Sequence, residues 1–89
     1  MKNRILVDMK AAMINRDQER LDVIRLLRAA IQRREIDDKI DELSDDDVQK
    51  VIKKMIKQSN KAIIQFKKGK RPDLVAKDEY LIKVLEEYQ

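Results

Sequence analysis

A single glycine and a single proline in 89 residues leave this chain little material for tight turns, and therefore little for sheet architecture. Ala, Leu, Ile, Lys, Arg, Glu and Gln dominate, while threonine and tryptophan are absent, so local preference runs to helix over strand. A chain of this length makes one domain with one modest core. Hydrophobic residues at 43% are ordinary for a folded domain, but 43% charged is high, so the arrangement of charge carries information.

Apolar spacing divides the chain into four helices. Residues 4–14 place Ile5, Leu6, Met9, Ala12 and Met13 on one face, and Asn15-Arg16-Asp17 supplies a break with two capping residues. From Gln18 to about Ile36, the residues Leu21, Val23, Ile24, Leu26, Leu27, Ala30 and Ile31 cover a wide arc, which predicts the most buried helix, placed centrally. Residues 37–47 are acidic, anchored by Ile40 and Leu43. Ser44-Asp45-Asp46-Asp47 then reads as an N-cap followed by three acids in a first helical turn. That cluster lacks the glycine and ligand spacing of a calcium loop, so capping is expected there and no metal site. The third helix runs from about Asp45 to Lys68, and Gly69 is expected to close it in the left-handed conformation. Arg71-Pro72-Asp73 opens the fourth, which presents Leu74, Leu81, Leu85 and Tyr88 with Ile82 and Val84 on the flanks and Asp78 at the edge. The expected fold is all-α: a small four-helix bundle in a single domain, 1–89, with a central second helix and an amphipathic basic third helix.

That third helix carries the strongest functional signal. Between Val48 and Pro72 there are nine Lys or Arg residues and no Asp or Glu. Lys50, Lys53, Lys54, Lys57, Lys61 and Lys68 fall within one arc roughly 100° wide, opposite Val48, Val51, Ile52, Met55, Ile56, Ala62, Ile63 and Phe66. By segment the charge is about +4 over 1–36, −6 over 37–47, +9 over 48–72 and −3 over 73–89, so a net +4 conceals a dipolar layout. A solvated charge face is the ordinary explanation of such a run. The absence of interspersed acids and the continuation into Lys67, Lys68, Lys70 and Arg71 favour phosphate recognition instead. With only Phe66, Tyr80 and Tyr88 as aromatics, stacking platforms are missing and the expected contacts are to backbone phosphates.

Catalytic vocabulary is scarce: there is no His, Cys or Thr, and only Ser44 and Ser59 offer aliphatic hydroxyls. Ser44 is accounted for by capping, and Ser59 falls on the apolar side of its helix. One glycine cannot supply a phosphate-cradling loop, so no cofactor is expected. The lack of cysteine, of a signal-peptide core and of a membrane-length apolar run predicts a soluble, cytoplasmic protein.

The segment Glu19-Arg20-Leu21-Asp22-Val23-Ile24-Arg25-Leu26-Leu27-Arg28-Ala29-Ala30-Ile31, followed by Glu35-Ile36, resembles a characteristic stretch of the GatB/YqeY family. Ile56-Lys57-Gln58, the run from Phe66 to Leu74, Glu79, and Leu85-Glu86-Glu87-Tyr88 extend the resemblance to nearly the whole chain, specifically to the N-terminal helical region of YqeY-like proteins. It implies association with the transamidation route to correctly charged Gln or Asn tRNA, and a family label of carbon–nitrogen ligase with glutamine as amido donor. The catalytic motifs of that chemistry are not in this sequence. Members of the family usually continue past the Glu-Glu-Tyr segment into a second helical domain, so the tail most closely tied to tRNA is expected to be absent here. Two readings of function stand ahead of a third, an enzyme acting in amide transfer. In the first, a non-catalytic accessory module holds tRNA phosphates, or a tRNA–amidotransferase complex, through Lys50, Lys53, Lys54, Lys57, Lys61, Lys68 and Arg71. In the second, a helical interaction domain meets an acidic protein partner. Neither involves a membrane or a metal.

Overall fold

The four apolar-periodic segments become four helices in the computed structural model, which describes residues 1–89: α1 (Lys2–Ile14), α2 (Gln18–Asp37), α3 (Asp45–Lys68) and α4 (Pro72–Glu86). There is no strand, and the all-α expectation holds. Local chemistry sets the helix starts. The Asp47 N–H donates to Ser44 Oγ at 3.2 Å, so Ser44 caps α3 as its position suggests. Asp17 does the same for α2, its carboxylate accepting from the Arg20 N–H at 3.2 Å. Pro72 stands in the first turn of α4, where its missing N–H goes unnoticed.

Three of the four helix ends, those of α1, α2 and α3, follow one rule that the sequence conceals. After α3, the Arg71 N–H reaches the Phe66 carbonyl (2.9 Å) and the Lys70 N–H reaches that of Lys67 (3.2 Å), the paired bonds of a Schellman motif. Asp17 to Ala12 with Arg16 to Met13 repeats it after α1, and Ile40 to Glu35 with Lys39 to Ile36 repeats it after α2. The left-handed residue in each is basic: Arg16 at φ 56°, Lys39 at 55° and Lys70 at 55°. Gly69 was expected in that role, yet it keeps a negative φ and Lys70 takes the strained position one residue later. A Cβ disfavours this region by about 1–2 kcal/mol. A cation near a helix C-terminus returns about 0.3–1 kcal/mol through the macrodipole, which offsets part of the strain. Replacing Arg16, Lys39 or Lys70 singly by Gly is accordingly expected to stabilise the fold by up to about 1 kcal/mol per site. Urea denaturation checks this, and destabilisation at all three sites would contradict the assignment.

The chain divides into two compact units, Met1–Val51 and Ile52–Gln89, with the division inside α3. In the first unit α1 packs on α2, and Ile5, Ala12, Leu21, Val23, Ile24, Leu27, Ile31, Leu43, Val48 and Val51 are buried. Three apolar residues expected to be buried are not: Met13 is 51% exposed, Leu26 54% and Ile40, expected to anchor the acidic segment, 41%. Of the four helices, α2 contributes the most buried side chains, as its wide apolar arc suggests.

One charged residue belongs to this core. Glu35 follows Ile31 by four positions, so its helix phase carries it onto the buried face, where it is 9% exposed. Its Oε2 accepts from Lys2 Nζ at 2.7 Å and from the Leu43 backbone N–H at 2.9 Å, tying the start of α1 and the 38–44 loop to the end of α2. The Lys2 hydrogen bond, helped by the Leu43 N–H, holds the Glu35 carboxyl below the usual glutamate range. Its contribution to stability is therefore present above the unfolded glutamate pKa of about 4.3 and disappears as pH falls through the lower native value. Glu35→Gln is expected to flatten the acid limb of stability against pH, as read by circular dichroism melts from neutral to acid pH. An unchanged limb would place the acid sensitivity elsewhere.

In the second unit Ile52, Ser59 and Ile63 of α3 and Val84, Leu85 and Tyr88 at the end of the chain are buried. Met55, Ile56, Ala62 and Phe66 are half-buried on the same side of α3. The buried residues of α4 are Val84 and Leu85, so Val84 is no flanking residue, whereas Leu74 and Leu81 are only half-buried. Asp78 is half-buried. No helix is long and apolar enough to cross a membrane.

Candidate nucleic-acid interface

Because α3 is amphipathic, its lysines and its buried residues are one arrangement seen from two sides. With Ile52, Ser59 and Ile63 turned inward, Lys53, Lys54, Lys57, Lys61 and Lys68 are all exposed. None of these five makes an ion pair, since no acid stands within three or four residues of Lys53, Lys57 or Lys61 and none approaches from α4. Lys53, Lys57 and Lys61 occupy successive i,i+4 positions, about 6 Å apart along the helix axis, a regular row of cations.

The other two residues expected in the stripe are placed differently. Lys50 lies in the first unit, with its Nζ 3.6 Å from the carboxylate of Asp47 one turn back. Arg71 precedes α4 as its N-cap residue, and its guanidinium meets the Asp73 carboxylate at 3.3 Å and 3.4 Å. That hydrogen bonding holds the Asp73 carboxyl below the ordinary aspartate range. Both pairs are largely exposed and weak, but each turns a cation toward its own helix. Lys68 stands in the last turn of α3, where the macrodipole favours a cation independently of any ligand.

Beside the lysine row runs a second i,i+4 row, Ile56, Asn60 and Ile64. Together with Lys53, Lys57, Lys61 and Gln89 it lines an open groove of about 340 Å³ within the second unit. Ile64 is 53% exposed. Asn60 and Ile64 were not among the expected site residues, although a helical wheel places Ile64 between Lys53 and Lys57 on the solvent side. A smaller cleft of about 200 Å³ in the first unit includes Lys2, Arg28, Glu35 and Glu42, but its Lys2 and Glu35 are bonded to each other. Neither hydroxyl is presented as a nucleophile: Ser44 Oγ accepts the capping bond and Ser59 is 6% exposed. No group of three or more acidic side chains is arranged to hold a metal ion.

The family model for Yqey-like protein matches residues 2–89, in agreement with the resemblance carried by α2 and by the segment from Phe66 to Leu74. Among curated proteins, the chain is 40% identical over 82 residues to "Altered inheritance of mitochondria protein 41, mitochondrial" of Kluyveromyces lactis, covering 92% of this chain and 44% of that one. The protein of the same name from Lachancea thermotolerans is 35% identical over 81 residues, covering 91% of this chain and 43% of the relative. The chain thus spans less than half the length of these relatives. Their names correct one expectation: both are mitochondrial proteins, which overturns the assignment to the cytoplasm made from composition. Absence of cysteine and of a membrane-length segment does not separate one reducing compartment from another.

Proposed function

The chain belongs to the YqeY-like protein family, and on that premise we propose that it is a non-catalytic helical accessory module that holds tRNA, alone or within an amidotransferase complex, by its phosphates. The observation that carries this reading is the unpaired row Lys53, Lys57 and Lys61 on α3, flanked by Lys54 and Lys68. Lysine is a strongly hydrated point charge on a flexible stem, suited to phosphate oxygens and indifferent to base identity. The lack of His, Cys and Thr, with Ser44 Oγ capping α3 and Ser59 buried, supports a binding role rather than a catalytic one.

Binding through three to five such lysines predicts a definite salt response. Each neutralised phosphate contributes about −0.7 to −0.9 to the slope of log affinity against log salt. Affinity for unmodified tRNA is then expected to fall roughly 20- to 500-fold between about 50 and 200 mM salt. Filter binding or fluorescence polarisation across that range measures it. No binding at the low-salt end would sink the proposal for this chain.

A further inference from the structure

Resting on the phosphate-binding reading above, we propose that the α3 groove receives an unstacked nucleotide of single-stranded RNA. Lys53, Lys57 and Lys61 take its phosphates, Ile56 and Ile64 lie against sugar and base, and the Asn60 carboxamide meets a base edge.

A surface that only tracked phosphates would need cations alone. Here the row beside the cations is uncharged, and together with Gln89 the two rows line one shallow, open depression. A lone exposed isoleucine requires no explanation. Ile64 differs because it is 53% exposed on the solvent side of α3, between lysines, with an amide one turn before it and a half-buried Ile56 two turns before. Duplex RNA keeps its bases stacked and offers such a surface mainly phosphates and 2′-hydroxyls, so the Ile and Asn side chains would add little to duplex binding. Single strands can splay a base outward and expose both its apolar face and its hydrogen-bonding edge. Asparagine carries a donor and an acceptor on one planar group, which matches the adjacent donor and acceptor of a base edge. The groove volume of about 340 Å³ lies at the small end of ligand sites, which suits one nucleoside rather than a run of them.

The test compares a short fluorescently labelled RNA strand with its duplex, using the native chain, Asn60→Ala, Ile64→Ala and a variant with Lys53, Lys57 and Lys61 changed to Glu. Native protein is expected to bind the single strand about fivefold or more tighter than the duplex at low salt. Asn60→Ala and Ile64→Ala should each remove about three- to fivefold of single-strand affinity while leaving duplex affinity and the salt slope unchanged. Equal affinity for strand and duplex, with Asn60→Ala neutral, overturns the groove assignment and leaves phosphate binding standing. Failure of the native chain to bind either RNA overturns both. Dimerisation of the RNA-free protein that Ile64→Asp abolishes would give the groove to a second copy and also overturn the assignment. Asn60 and Ile64 are exposed, so circular dichroism of both alanine variants should match the native protein.

Discussion

Changing Lys53, Lys57 and Lys61 together to Glu is expected to lower tRNA affinity by at least about 100-fold at moderate salt, with native helicity retained. Each substitution removes an attraction of about 1 kcal/mol for a solvent-screened contact near 4 Å and puts a repulsion of similar size in its place. Three such reversals exceed the roughly 2.7 kcal/mol that a hundredfold change requires. The fold should survive because all three side chains are exposed and without ion pairs, and Glu and Lys have similar helix propensity. A control separates the local row from overall charge. Lys10, Arg33 and Lys77 are exposed, and changing them to Glu alters the net charge equally. That variant should lose only the small, salt-screened share of affinity due to long-range attraction. Equal losses in the two variants would show that net charge, and not the α3 row, attracts the RNA. Lys50→Glu and Arg71→Glu should matter less than any member of the row, since each native cation is already drawn to an acid of its own helix.

The second large effect concerns stability. Leu27→Ala is expected to destabilise the protein by about 2.7–5 kcal/mol, whereas Leu26→Ala, its neighbour on α2, should change stability by no more than about 0.5 kcal/mol. Leu27 is fully buried at 0% exposure and Leu26 is 54% exposed. Removing the Leu27 side chain loses its transfer free energy and leaves a cavity that neighbours fill only in part. Removing that of Leu26 uncovers nothing and places the best helix former in an exposed position. A folded domain of this length has about 4–13 kcal/mol of total stability, so Leu27→Ala brings the chain close to unfolding at ordinary temperature. Paired thermal or urea melts measure the difference. Similar values for the two variants would refute the burial pattern of α2.

This leucine pair shows where sequence reading reached its limit. The helical wheel puts both on one broad apolar arc, Leu27 near its middle and Leu26 at one edge, so spacing marks Leu27 as core and leaves Leu26 open. Met13 on α1 and Val84 on α4 were misplaced for the same reason. A helix that is apolar over much of its circumference is compatible with several orientations, and the approach of its neighbours selects one. In α3 the apolar and basic faces are sharply divided, and there the buried side and the exposed lysines were both legible from spacing. Glu35 was legible in principle, since it continues the Leu27–Ile31 row at the next i+4 position. What spacing could not supply was its partner: Lys2 lies 33 residues away in sequence. The groove was half legible. Its lysines stand out by composition, but Asn60 and Ile64 gain meaning only as a row lining the same concavity.

Helix number, the boundaries to within about two residues, the capping roles of Ser44 and Asp17 and the acid-free face of α3 follow from the chain alone. Each depends on residues within one or two turns of each other, so local propensity and periodicity suffice to determine it. The tertiary structure decided that Leu26, at the edge of its apolar arc, stays exposed and that a glutamate would be held inside by a distant lysine. It also decided that Asn60 and Ile64 would line one groove with the lysine row. These outcomes depend on how separate elements meet, and contacts between residues far apart in sequence leave no periodic trace in it.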